Sequence, residues 1–189
     1  MKQVVLGSGS PRRREILEML GISCTILRPD VDETVKPGEL ADGYLERIAR
    51  AKFEAVRHLV ESDHPLLVAD TVVVDRGDIF GKPVDADDAL KMITRLCGNA
   101  HETKTRFLIG KSGQILHEET VTTALVFRSA SAQERAAYVA SGEWVDRAGG
   151  YAVQGRASGF VARIDGSYTN VVGLPACEVL VALMKLGFA

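Results

Sequence analysis

Several short stretches of this 189-residue sequence combine side chains that can handle phosphate. The first is Gly7-Ser8-Gly9-Ser10-Pro11-Arg12-Arg13-Arg14, which follows a short apolar run, Val4 to Leu6. A strand feeding small residues into a helix N-terminus gathers free backbone N–H groups and the positive end of the helix dipole at one point. That is an anion site. Three arginines in the first helical turn oppose the same dipole. Either an anionic ligand resolves the conflict, through charge-assisted and bidentate contacts, or solvent does, on a capped surface helix. Neither GxxxxGK[ST] nor GxGxxG is present, so the standard ATPase and dinucleotide readings fail.

The second stretch is Ala69-Asp70-Thr71, inside the Val-rich run Leu66 to Val74. A carboxylate there is costly unless partnered. Asp70 therefore faces a cleft, a cation or a substrate, or it pairs with a lysine at a strand end. Val72 stands where a phosphoaspartate phosphatase wants a second Asp, which speaks against that class. In Gly81-Lys82-Pro83 the flanking residues restrict the backbone. They either aim Lys82 back toward the Asp70 strand or hold it in a surface turn. Lys52 lies beside Ala49 and Phe53 on the apolar face of a helix, and it either enters a cleft or snorkels to solvent. Glu33, taken alone, reads as a solvated loop charge. Gln154 sits in the Gly-rich segment Gly149 to Gly159, and its amide offers both a donor and an acceptor, suited to the edge of a base. The alternative is a long structural loop. His58, His64, His101 and His117 show no paired spacing and read as non-catalytic, so any metal is a hard cation such as Mg²⁺, held by carboxylates and a triphosphate.

The elements that must position these residues alternate as in α/β proteins. The strand Val4–Leu6 is followed by a helix with Ser10 as N-cap, Pro11 at its first position and Gly21 as terminator. A strand over Ser23–Arg28 and a polar loop over Pro29–Glu39 precede a helical period through Leu45, Ile48, Ala49, Lys52, Phe53 and Val56. Leu66–Val74 suits a buried central strand. Arg76-Gly77-Asp78 is a turn in a hairpin position, not an adhesion motif. A helix over Asp85–Leu96 and strands near Thr103–Ile109 and Ile115–Phe127 follow, joined by Lys111-Ser112-Gly113. Ser131 to Glu134 is a capping box that opens a helix to Ala140. The Gly-rich segment leads to a strand over Phe160–Ile164, a turn at Asp165-Gly166 and a final helix from near Pro175.

Hydrophobic residues make up 46% and charged residues 25%, the balance of a globular protein whose core needs no staple. The net charge of −2 argues against nucleic-acid binding through overall positive charge. Cys24, Cys97 and Cys177 are scattered, which suits reduced thiols. The N-terminal residues lead directly into a strand, with no apolar signal core and no membrane-length apolar run, so the expected compartment is the cytoplasm.

Taken together, Ser8-Gly-Ser-Pro-Arg-Arg13, Val31-Asp-Glu33, Arg50-Ala-Lys52, Ala69-Asp-Thr71, Gly81-Lys-Pro83 and the stretch Gly150 to Pro175 resemble, in order, the motifs of the Maf family of nucleotide pyrophosphatases. The resemblance extends over almost the whole chain and implies a single domain over residues 1–189. The implied fold is an α/β fold like that of the inosine-triphosphate pyrophosphatases: a mixed sheet flanked by helices, with two lobes around a central cleft. It implies hydrolysis between the α- and β-phosphates with a divalent cation, Mg or Mn, and often a homodimer. Asp70 matches the catalytic acidic position, and Ser8, Arg13, Glu33, Lys52 and Lys82 match positions lining the phosphate and metal site, with Glu33 and Asp70 as metal ligands. Arg12, Thr71 and Gln154 match positions that mark the branch acting on dTTP and UTP. Two departures are local: Cys97-Gly98 stands where Ser-Gly is usual, and Lys104-Thr105-Arg106 is unusually basic.

Two other readings compete with this one. Hydrolysis of a modified purine triphosphate such as 7-methyl-GTP stays within the enzyme class. A non-catalytic nucleotide-binding regulator of septum formation lies outside it, but such a module has no need of Asp70, Lys52 and Lys82 together.

Overall fold

In a computed structural model, residues 3–61 and 63–189 are described; Met1 and Lys2, from which the sequence leads into the first strand, lie outside them. The elements in order are β1 (Val4–Gly7), α1 (Pro11–Met19), β2 (Cys24–Leu27), α2 (Ala41–Val56), β3 (Leu66–Asp75), β4 (Asp78–Phe80), α3 (Ala86–Leu96), β5 (Ala100–Lys111), β6 (Gln114–Phe127), α4 (Ala132–Ala140), β7 (Val161–Asp165), α5 (Tyr168–Val172) and α6 (Ala176–Lys185). The strands form a seven-stranded mixed sheet in the order β2-β1-β3-β5-β6-β7, with β4 paired to β3. β1 runs parallel to β2 and β3, whereas β4 and β7 are antiparallel to β3 and β6. The expected mixed α/β sheet is present.

Local signals account for most boundaries. Pro11 opens α1, and Gly21, at φ 71°, closes it. Gly21 N–H bonds to the Glu18 carbonyl and Ile22 N–H to the Leu17 carbonyl, each at 2.9 Å. That is a Schellman closure, with Ile22 and Leu17 both fully buried. Arg76 (φ 52°) and Gly77 (φ 89°) make a two-residue turn between paired Asp75 and Asp78. Ser112 (φ 52°) and Gly113 (φ 76°) join β5 to β6 in the same way. Positive φ at both central residues is the primed turn that fits the strand twist. The capping box of α4 is complete, with Ser131 and Glu134 each accepting from the other's backbone N–H.

Three details go beyond what the sequence predicts. Ser10 occupies the N-cap position of α1 but makes no side-chain cap bond; its N–H instead bonds to Ser8 Oγ at 3.2 Å. The Gly-rich segment is not a plain loop: it contains 3₁₀ turns at Ala148–Gly150 and Arg156–Phe160, and the strand after it begins at Val161. Positive φ at Gly149 and Gly150 tightens that chain path. Between Asp165-Gly166 and Pro175 stands α5, a helix too short to leave a sequence period.

The chain divides into two compact units. Unit 1 holds the described residues up to Thr71 together with Thr105–Val121 and Gly173–Ala189; unit 2 holds Val72–Lys104 and Thr122–Val172. In unit 1, Ala49, Phe53 and Val56 line one face of α2 and pack on Val5, Leu66, Val68 and Leu108. A Cβ at Gly110 would collide with the Phe53 ring, so glycine is required there. In unit 2, Ile93 and Leu96 of α3 join Phe127, Tyr138, Tyr151 and Phe160 in an aromatic core. No helix among the described residues is long and apolar enough to cross a membrane.

Candidate functional site

The β1–α1 loop is where the sequence places an anion cradle, and its arginines have three different fates. Arg14 is exposed and pairs with Glu18 at 2.7 Å, one turn along the helix. Arg12 is half-buried. Arg13 turns inward and is buried: Nη1 donates to Ser8 Oγ at 3.0 Å, Nε to the Gly173 carbonyl at 2.8 Å and Nη2 to Thr71 Oγ1 at 3.0 Å. Ser8 Oγ accepts from both Arg13 and the Ser10 N–H, so its own proton remains to be donated, as an anionic oxygen requires. Thr71 differs. Its hydroxyl accepts from Arg13, bonds Thr105 Oγ1 at 2.9 Å and reaches the Gly173 carbonyl at 3.3 Å, which uses its full capacity.

The second cluster in unit 1 is built on Lys52. Tyr44, Ile48 and Lys52 recur at one-turn spacing on the buried face of α2. Lys52 Nζ lies 2.5 Å from Asp70 Oδ1 and 2.6 Å from Glu33 Oε1. Asp70 and Lys52 are buried and Glu33 is half-exposed. The lysine therefore enters the site rather than snorkelling, and Glu33 is not a solvated loop charge. Asp70 Oδ2 is buried with no hydrogen-bond partner. Two carboxylates on one ammonium, with an oxygen left over, suit a hard divalent cation that takes its remaining ligands from phosphate and water. Tyr44 OH donates to the Glu33 carbonyl at 3.1 Å. Burial holds its phenol well above the ordinary range, and the Asp70 and Glu33 carboxylates push the same way.

Lys82, Gln154 and His101 belong to unit 2. Lys82 is exposed and pairs with Asp146 at 2.7 Å. Gln154 is exposed in a turn whose next amide is fastened: Glu143 Oε2 accepts the Arg156 N–H at 2.7 Å. Glu143 also crowds the place a Cβ would take at Gly155, so that glycine admits the carboxylate. His101 is buried, edge-on to Phe127 and Tyr151, and its Nε2 meets Tyr151 OH at 3.1 Å. Burial lowers its pKa to about 4, so it is a neutral core histidine. The basic run at Lys104–Arg106 is balanced locally: Arg106 bonds Glu118 at 2.9 Å and Thr120 at 3.0 Å, and Thr105 is the buried partner of Thr71.

Sequence patterns alone miss Tyr44, Thr105, Asp146 and the Gly173 carbonyl. Each acts through a partner distant in sequence, and no local pattern announces it. Another group of potential metal ligands, Glu61, Asp63 and His64, is largely exposed, with His64 Nδ1 itself 3.1 Å from Asp63.

Comparison with known proteins agrees with the motif order. The family described as Maf-like protein matches residues 3–186. The dTTP/UTP pyrophosphatase of Chromobacterium violaceum is 46% identical over 98% of this chain and 96% of its own length. Those of Hahella chejuensis and Salmonella typhimurium are 46% and 45% identical, over 98% and 94% of this chain and 93% and 90% of their own lengths. Among solved structures, the Staphylococcus aureus Ham1 protein superposes with a TM-score of 0.46 at 11% identity, covering 98% of this chain and all of that one. With a family match across nearly its whole length and relatives this similar, the chain belongs to the Maf family.

Proposed function

We propose that this protein hydrolyses dTTP and UTP to the nucleoside monophosphate and pyrophosphate, acting as one Maf-like domain over residues 1–189. The observation that carries the reading is the buried Asp70 carboxylate, fixed through Oδ1 by Lys52 and left with Oδ2 unpartnered. The names of the relatives supply the substrate class.

Lys52 orients Asp70 through its Oδ1. Oδ2 is then the acceptor for the proton of a water attacking the α-phosphorus, and pyrophosphate departs on the opposite side. Ser8 donates its proton to a phosphate oxygen, and Arg13, Lys52 and Lys82 offset the negative charge that builds up on the leaving group. Glu33 and Asp70 would hold the divalent cation, Mg or Mn, which when bound acidifies the attacking water and neutralises phosphate charge. Gln154 reads the base edge, Arg12 supports the same choice, and Thr71 contributes through its placement of Arg13. The same reading has the protein working in the cytoplasm as a homodimer, with no membrane or stable nucleic-acid partner.

Product analysis is the test. UTP should yield UMP and pyrophosphate in equal amounts, without UDP. Initial release of UDP and free phosphate would overturn the assignment of the bond cut, and absence of turnover with every common and modified triphosphate would favour a non-catalytic regulator.

A further inference from the structure

Glu33 reaches Lys52 from a loop without regular structure between β2 and α2. A loop carboxylate keeps one geometry only where its backbone is tied down. This backbone is tied from α2. Arg47 grips Glu39 by two bonds, Nε to Oε1 and Nη2 to Oε2, both 2.6 Å, and Nη2 also donates to the Thr34 carbonyl at 2.9 Å. Glu39 Oε2 in turn accepts the Lys36 N–H at 2.9 Å, so one ion pair closes the loop on itself. Asp32 accepts the Thr34 N–H at 2.9 Å, and Tyr44 OH holds the carbonyl of Glu33. The Arg47 guanidinium stands 5.4 Å from the Tyr44 ring centroid, so the two ties brace each other. The Arg47 guanidinium and then the Lys36 N–H hold the Glu39 carboxyl down to about 2, and the ion pair survives mild acid.

We propose that Arg47 and Tyr44 are positioning residues that hold the loop so that the Glu33 carboxylate is delivered to Lys52 and to the divalent cation. This rests on Glu33 belonging to the site proposed above. α2 then carries both the ammonium and the ties on the carboxylate that meets it, so the two move as one body. The chemistry of arginine suits such a clamp, because its planar fork grips the Glu39 carboxylate while still reaching a backbone carbonyl, which a lysine cannot do.

The test uses the full chain with Tyr44→Phe, Arg47→Lys and Arg47→Ala. Hydrogen exchange at the loop amides around Thr34 and Lys36 should quicken by about tenfold in Arg47→Ala, with β3 amides unchanged. The Mn²⁺ concentration for half-maximal UTP hydrolysis should rise about fivefold, while kcat at saturating Mn²⁺ stays within about twofold. Tyr44→Phe, which loses only the bond to the Glu33 carbonyl, and Arg47→Lys should both fall between wild type and Arg47→Ala. In a Glu33→Gln background, Arg47→Ala should cost less than about twofold further, because the residue it acts through has gone. Equal losses with and without Glu33, or an unchanged loop exchange rate, would overturn the proposal. The exchange measurement needs no turnover, so it decides the clamp even where the pyrophosphatase reading fails.

Discussion

Strand β3 carries two buried aspartates, Asp70 in unit 1 and Asp75 in unit 2. Their odd separation turns them to opposite faces of the strand. Each has a cationic partner and each keeps one buried oxygen without a hydrogen bond, Oδ2 in Asp70 and Oδ1 in Asp75. The partners separate them. Arg95 binds Asp75 Oδ2 at 2.6 Å, its carbonyl at 3.1 Å and Asp78 at 2.7 Å, so its planar fork staples both sides of the β3–β4 turn. Lys52 is a compact charge shared between Asp70 and the half-exposed Glu33, and it can be re-partnered without breaking a fork. An unsatisfied buried oxygen therefore does not by itself mark chemistry. The role proposed for Asp70 rests as well on the rotatable ammonium that it shares with Glu33.

Exchanging each aspartate for asparagine breaks or confirms this contrast. Asp70→Asn leaves Lys52 paired with Glu33 and should fold, yet turnover should drop by at least about a hundredfold, the scale of a lost general base or metal-activated water. Asp75→Asn should keep kcat within about twofold and lose about 2 kcal/mol of stability in denaturant titration, because Arg95 keeps the residue-75 carbonyl and Asp78 but loses its charged buried acceptor. Reversed phenotypes would end the comparison.

The acid limb of the stability curve sharpens it next. His101, whose folded pKa is about 4 because of burial, titrates near 6.5 when unfolded. The unfolded chain takes up that proton first. Stability is then full above about pH 6.5 and falls as pH drops toward about 4, by up to about 3 kcal/mol. His101→Phe should flatten the curve in that window. A slope unchanged in the variant would assign the loss to other groups.

The smallest effect concerns base choice. Gln154→Ala should erode the preference for UTP and dTTP over CTP by no more than about tenfold and affect overall turnover less, since an exposed amide selects rather than reacts. An unchanged pyrimidine ranking, or kcat/KM for 7-methyl-GTP well above that for UTP, would contradict the assignment.

What is legible in the sequence is local. Pro11 and Gly21 bounding α1, the Ser131–Glu134 box and the primed turns at Arg76-Gly77 and Ser112-Gly113 each declare themselves within a few residues. Asp70 is visible because a carboxylate in a valine run demands a partner. The identity of that partner is not, since Lys52, Glu33 and Asp70 meet only after two loops have folded. Ser10 shows the limit of a local rule: its position at the N-cap is right, but its side chain makes no cap bond. The α5 helix and the 3₁₀ turns of the Gly-rich segment span too few residues for a period to emerge.

The bond from Arg13 to the Gly173 carbonyl spans 160 residues of chain, and it has a consequence in time. Unit 1 is assembled from three separated stretches, with unit 2 threaded between them. In chain order, the Gly173 carbonyl that accepts from Arg13 Nε follows every residue of unit 2. Closing so long a loop is entropically late, and it places the tie between α1 and Gly173 among the last contacts of the molecule to become native. Sequence order alone therefore makes this tie a late event, in whatever order the rest of the molecule folds.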